Sequence, residues 1–265
     1  MRVTLLVSSL ENNTDELIEK MNIHSDAVMV NQCERDCISK KEFDFGTVTV
    51  IDSKDRGVGA SRNLCIDNSY GDIVLFGDED IVYDEGYEDK VIKEFENHPE
   101  ADMIMVNVEV CDERRTYENR GFKKLSRFNI GRFPAYSIAV RRDVLTEKNL
   151  RFSLLFGGGA EFSNGEDSLF LKEAYDKKVR MYSSDVWVGK EIPRESTWFK
   201  GYTEKFFLDR GVLFAFLYGS FAWLWRIRFI LTKKEMFKGE ISRKKANSLM
   251  KKGIKIGKAR KREAI

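Results

Sequence analysis

The segment Ile73-Val74-Leu75-Phe76-Gly77-Asp78-Glu79-Asp80 places four apolar residues directly before a run of acids. A short, unbroken apolar run reads as a buried β-strand, so these carboxylates emerge at its C-terminal end, where open α/β sheets hold their ligands. Just upstream, Arg56-Gly57-Val58-Gly59-Ala60-Ser61-Arg62-Asn63 leads into a stretch of helical periodicity over 61–69. Further out, 2–10, 27–31 and 48–52 are short β-like runs bounded by polar turns, and a helix is expected from Thr14 to about Met21. Downstream, 89–98 reads as helix, 101–110 and 135–140 as strands, and Asp143 starts a short helix. Strands alternating with helices predict an α/β domain, its mostly parallel sheet joined by right-handed crossovers and covered on both faces.

A second acidic pair, Glu166-Asp167, follows Gly157-Gly158-Gly159 and Asn164-Gly165 and opens a helix-like segment, 168–175. Hard carboxylate oxygens at a strand end suit a divalent cation that also holds phosphates. A carboxylate at a helix start suits proton abstraction from a bound hydroxyl. Each feature also has a plainer reading. Asp78-Glu79-Asp80 could be a solvated turn, the glycines a surface loop, and Glu166-Asp167 a helix-start pair favoured by the macrodipole.

With 265 residues and 42% hydrophobic content, the chain has room for one large α/β domain, expected over 1–205, and a helical appendage over 206–265. Its four cysteines are too scattered for a disulfide framework, and Cys33 and Cys37 have only His24 nearby, which argues against zinc. No signal-peptide pattern precedes the first strand, so a cytoplasmic location is expected. The net charge of +2 hides an asymmetry: residues 233–265 carry 13 Lys/Arg against 3 Asp/Glu, or +10, which leaves −8 on residues 1–232. A basic tail on an acidic body implies an anionic membrane surface or nucleic acid as partner; the alternative is a solvated helical face. The aromatic run 206–231 contains an uninterrupted stretch, 212–225, of about 14 residues, short of the ~20 needed to cross a bilayer. A helix lying in the interface is expected, with Trp223 and Trp225 at headgroup depth and the tail on anionic lipid. The same segment could instead bury itself against a second copy, so a homo-oligomer stays open.

Taken in order, 3–8, the Arg56 to Asn63 element, Gly77-Asp78-Glu79-Asp80 and Gly165-Glu166-Asp167-Ser168-Leu169-Phe170 resemble the family 2 glycosyltransferases of the GT-A fold. The likeness covers about residues 1–200 and is strongest to bacterial enzymes that build capsular, exopolysaccharide or lipopolysaccharide chains. It implies a Rossmann-like, mostly parallel central sheet and transfer of a sugar from a nucleotide-diphosphate donor, with a UDP-sugar first in line. The acceptor would be a glycan or a polyprenyl-diphosphate-linked chain, at the inner face of the cell membrane, with inversion. It also implies a Mn2+ or Mg2+ ion and the nucleotide ribose near Asp78 and Asp80, or a metal on Glu79 if Gly77 takes the motif's first position. Asp167 would be the general base, with Glu166 orienting it or sharing the role.

The same likeness puts Ser8, Ser9, Asn31 and Gln32 at the nucleoside base, although the acid usual after the second strand is replaced here by Asn31-Gln32. Gly57 and Gly59 would shape the turn before Arg62 and Asn63, which could meet phosphate, ribose or base; Arg62 is expected to bind the donor, the alternative being a buried structural ion pair with the acids. A downstream histidine common in the family has no counterpart, His24 and His98 being the only two in the chain. Lys190 or Arg194, in a basic aromatic stretch with Trp198, is expected to bring charge to the diphosphate instead. Two other functions fit parts of the pattern. A sugar-phosphate nucleotidyltransferase needs a glycine-rich basic loop after the first strand, which Ser8-Ser9-Leu10-Glu11 does not supply. A non-catalytic membrane or nucleic-acid module would act through the tail alone, but the acidic body repels a polyanion, so no nucleic-acid partner is expected.

Overall fold

All seven residues of β1 (Val3–Ser9) are buried, which requires cover on both faces of the sheet it belongs to. The structure, a computed structural model, describes residues 1–10, 13–111, 115–192, 201–237 and 241–263. After β1 come α1 (Thr14–Lys20), β2 (Asp26–Gln32), β3 (Cys37–Phe43), β4 (Gly46–Ser53), α2 (Val58–Asp67) and β5 (Ile73–Asp78). Next are β6 (Ile81–Tyr83), α3 (Tyr87–Asn97), β7 (Met103–Glu109), β8 (Lys123–Lys124), β9 (Ile138–Arg141), α4 (Arg142–Glu147), α5 (Glu166–Asp176) and β10 (Met181–Glu191). The ten strands form one sheet in the order β3-β4-β2-β1-β5-β9-β7-β10-β6, with β8 paired to β10. Strands β4, β2, β1 and β5 run parallel. The chain leaves β1 first to one side, for β2, and later to the other, for β5. That reversal opens a crevice at the C-terminal ends of β1 and β5, where Ser8 and Asp78 are register partners.

Side-chain alternation assigns the two faces. Leu6, Val28, Val30, Phe76 and Met105 pack with Cys65 of α2 and Phe170 of α5, whereas Leu5, Val7, Met29 and Leu75 pack with Leu17 of α1 and Val91 of α3. Four strands depart from the expected parallel pattern: β6 and β8, both antiparallel to β10, and β3 and β9. β3 is an antiparallel edge strand, almost wholly exposed, and so lacks the apolar signature of its neighbours. β9 is antiparallel to both β5 and β7. The expected strand over 135–140 starts later, because Ala135–Ser137 forms a single 3-10 turn.

Beyond the sheet lie α6 (Glu204–Tyr218), α7 (Ala222–Thr232) and α8 (Arg243–Glu263). Thr203 caps α6 by accepting from the Phe206 amide, so the expected division after residue 205 falls within its first turn. Helix α6 is not a surface helix: Val212 and Leu213 share a core with Phe156 and Phe162, while Phe207, Phe214 and Ala215 pack on Met250 and Ile254 of α8. The two helix backbones nearly touch. A Cβ on Gly253 would lie 2.1 Å from the Leu208 carbonyl oxygen, and one on Gly211 would lie 2.3 Å from that of Met250. Gly219, at φ 54°, then breaks the run and turns the chain into α7.

Candidate active site

Arg62 is the hub of the site. It lies in α2, where the helix packs on the sheet, and its side chain keeps only 5% of its surface. One guanidinium nitrogen donates to Asp167 Oδ1 at 2.8 Å and lies 3.5 Å from Glu166 Oε1. The other donates to Asp78 Oδ1 at 2.9 Å. Its plane sits 5.1 Å from the centre of the Phe152 ring. A single cation thus joins the acid at the end of β5 to the pair that opens α5, and the two acidic clusters meet on it. Burial works against the charge, but Asp167, Asp78 and Glu166 together outweigh it and raise the guanidinium above its ordinary range.

The segment before α5 is shaped by close approaches. Gly157, at φ 111°, comes so near that a Cβ would meet Val58 and Glu166, and the Val58 amide donates to Gly158 O at 2.9 Å. Gly165, at φ 117°, faces Leu213 of α6 in the same way. The glycines therefore form a packed bracket between α2 and α6. Asp209 of α6, 2% exposed, fastens it by accepting from the Ser163 amide at 3.0 Å, the Ser163 hydroxyl at 2.8 Å and Lys205 Nζ at 2.7 Å. Removing this carboxylate in Asp209→Ala strands the Ser163 amide and hydroxyl, while exposed Lys205 keeps Glu161 O, and a loss of about 2 kcal/mol in unfolding free energy, read by denaturant titration, is expected.

Within that bracket Glu166 accepts from the Gly165 amide at 3.0 Å. Burial, then the neighbouring Glu166 charge, push the Asp167 carboxyl up to about 7, against the pull of Arg62 and a hydrogen bond from the Ala135 backbone. Between the ordinary carboxylate range and that value, the folded chain holds a proton that the unfolded chain has released. This contribution to stability is present in acid and lost as the pH rises through the window.

The other expected residues divide into groups. Ser8, Ser9, Asn31 and Gln32 line up at the C-terminal ends of β1 and β2. There Asn31, Gln32, Arg35 and Arg56 line an open cleft of about 500 Å³. Asn31 Nδ2 donates to Asp52 Oδ1 at 3.1 Å, and Arg35 Nε to Asp52 Oδ2 at 2.6 Å. A buried acid is therefore present after all, on β4 beside Asn31 rather than on β2. Nothing in a strand-by-strand reading marks it; the in-register pairing of Asn31 with Asp52 does.

Gln32 accepts from the Gly57 amide at 2.8 Å and so ties the cleft to the start of α2. Gly59 and Asn63 face inward rather than toward the cleft. A Cβ on Gly59 would lie 2.4 Å from Ser153 O. The Asn63 amide donates to Phe152 O at 2.9 Å and accepts from its N–H at 2.8 Å, so both polar ends are taken by the backbone that supports Arg62. Glu79 turns back to accept from the Leu10 amide at 2.7 Å and is buried. Asp80 is also buried, and its carbonyl accepts from Ile192 N at 2.7 Å. Lys190 is an exposed residue of β10, paired with Val82 of β6. Arg194 and Trp198 lie outside the described residues.

A doubly covered sheet whose order reverses at β1/β5 is the architecture of the GT-A fold. Residues 29–148 match the model of the family described as glycosyl transferase family 2. A search of curated proteins by sequence returns no match. Among solved structures, the chain is similar to S. aureus TarS 1-349, with a TM-score of 0.65 at 12% identity over 100% of this chain and 92% of that one. The same protein in complex with UDP-GlcNAc matches with a TM-score of 0.61 at 15% identity, over 94% and 70% of the two chains. The mannosyltransferase PcManGT from Pyrobaculum calidifontis, in complex with GDP-Man and Mn2+, gives 0.51 at 13% identity over 96% and 69%.

Proposed function

We propose that this chain transfers a sugar from a nucleotide-diphosphate donor to a hydroxyl of a lipid-linked glycan, with inversion, in the assembly of a bacterial surface polysaccharide. The observation that carries the reading is the single guanidinium of Arg62 bonded at once to Asp167 and Asp78. It holds together Asp167, which would accept a proton, and Asp78, which would face the diphosphate. UDP-GlcNAc on TarS and GDP-Man with Mn2+ on PcManGT support a nucleoside diphosphate as the donor's carrier. The nucleoside would lie along the cleft at Asn31 and Gln32, its diphosphate running toward Asp78.

No group of three metal-ligating side chains occurs among the described residues. The donor set fits a hard cation nonetheless, because such an ion is commonly held by one or two carboxylates together with substrate phosphates. Asp78 gives one oxygen to Arg62 and would offer the other, and Asp80, buried two residues on, would be the second carboxylate. A cation bound there would neutralise charge on the departing diphosphate. Asp167 accepts the proton of the acceptor hydroxyl as its oxygen bonds to the anomeric carbon, and the bond from that carbon to the diphosphate oxygen breaks. Glu166 holds Asp167 against Arg62 and raises its basicity.

A base works only when deprotonated. With the Asp167 carboxyl raised to about 7, kcat/KM should fall as the pH drops through neutrality. A profile flat across that range would remove Asp167 from the role. The direct test incubates the chain with a panel of sugar nucleotides, with and without Mn2+, and follows nucleoside diphosphate release. A nucleotidyltransferase would instead make pyrophosphate from a nucleoside triphosphate and a sugar phosphate. The charge division between body and tail supports a peripheral place on the inner membrane face, with residues 1–205 as the catalytic part and 206–265 as the attachment.

A further inference from the structure

We infer that the outer face of α7, together with the first turn of α8, is a docking face for a bilayer carrying anionic headgroups. Phe221, Trp223, Leu224, Ile227 and Leu231 are all exposed, Phe221 by 66% and Leu231 by 63%. Residues 223, 224, 227 and 231 recur at helical spacing on one side of α7. The opposite side is spoken for: Ala222 is buried, and Trp225, Phe229 and Ile230 pack into the core shared with α6 and α8. Trp225 stacks on Tyr218 at 4.3 Å, so of the two tryptophans expected at headgroup depth only Trp223 faces outward.

Beside this strip runs a groove of about 280 Å³. Its floor is Ile227, Ile230 and Leu231, and its rim is Arg243, Lys244 and Asn247. Neither Arg243 nor Lys244 is paired with a carboxylate among the described residues; Arg243 lies 5.8 Å from the centre of the Phe237 ring. Exposed Arg228 and Lys233 extend the cationic border. Hydrocarbon in the middle with cations at the edge is the pattern of a lipid interface, where acyl chains meet the apolar strip and phosphates meet the rim. A second copy fits less well, since a two-fold contact would set the same cations against each other.

By length and composition the run Glu204–Thr232 could cross a bilayer. Its first half, however, is buried under protein, with Phe207 and Val212 fully covered, and Gly219 breaks the helix before the exposed part begins. The chain therefore lies on the membrane by α7 alone. The inference deepens the proposed function, because a lipid-linked acceptor would then be presented at the height of α7, next to the bracket that α6 holds under Asp167.

The test is co-sedimentation of the full chain with phosphatidylcholine vesicles, with or without phosphatidylglycerol, scored beside donor hydrolysis in solution. The parent should pellet with the anionic vesicles and lose binding as salt rises. Trp223→Ser with Leu224→Ser should weaken binding at least about tenfold. Arg243→Gln with Lys244→Gln should weaken it roughly thirtyfold on anionic vesicles only, the effect of removing two headgroup cations. Both pairs are exposed, and each variant should match the parent in circular dichroism. A parent that stays in the supernatant, or variants that pellet like it, would overturn the docking face, as would a parent dimer that Trp223→Ser and Leu224→Ser convert to monomer. A parent that pellets yet releases no nucleoside diphosphate from any donor keeps the face and counts against the transferase reading.

Discussion

Asp167→Asn is expected to lower the transfer rate by about 10² to 10⁴ while leaving the donor dissociation constant close to the parent's. The amide keeps the size of the side chain and can still accept from the Ala135 backbone and from Arg62 through its oxygen, but it cannot take up the hydroxyl proton. The sign of the accompanying stability change separates this carboxylate from an ordinary structural one. Asp167 is held charged only against burial and the repulsion of Glu166, which is why its carboxyl lies far above the usual carboxylate range. Replacing it by a neutral amide removes that penalty, and Arg62 keeps Asp78 and Glu166. The variant should melt no lower than the parent at neutral pH, and its melting temperature should depend less on pH between the acid range and neutrality. Full activity, or a marked drop in melting temperature, would mean that Asp167 serves the fold rather than the reaction.

The opposite pattern is expected of Arg62→Ala. Removing one partner of a buried ion pair costs about 3 to 5 kcal/mol, since the remaining charge has no compensation, and here three carboxylates would be left facing one another. That corresponds to a fall of roughly 10 °C in melting temperature for a chain of this size. Transfer should fall with it, because Asp78 and Asp167 are placed by the same guanidinium. Arg62→Lys should rescue poorly, as one ammonium cannot reproduce the fork that reaches Asp167 and Asp78 with separate nitrogens. Denaturant unfolding of both variants checks the point, and a lysine variant as stable as the parent would show that charge alone, without geometry, suffices.

The parallel half of the sheet was legible in the sequence because β1, β2, β4 and β5 are buried on both faces and therefore read as continuous apolar runs. β3 was not legible for the converse reason: Cys37 to Phe43 sits at an open edge, where lysine and glutamate are suitable and no apolar period develops. The antiparallel direction of β9 is invisible locally, since Ile138 to Arg141 would look the same either way and the choice is made by pairing with β5 and β7. The acids at 78 and 166–167 stood out in the sequence by their context. Their convergence on Arg62 did not, because it depends on α2 and α5 leaning against the same face of the sheet. Asn63 and Gly59 look like ligand contacts in a linear motif, yet hydrogen bonding and close approach assign them to holding the backbone at 152–153. The aromatic segment misled in a related way: composition is similar along 206–231, and only packing separates the half that faces α8 from the half that faces outward.

The near-contact of α6 and α8 at Gly211 and Gly253 limits how this chain can be re-engineered. Grafting the cationic tail onto another protein would require carrying over α6 as well, because a host helix with any side chain at that crossing would hold the two apart. The reverse exchange is harder still. A foreign appendage would have to bring its own counterparts of Asp209 and Leu213, or the host would lose the prop beneath the start of α5.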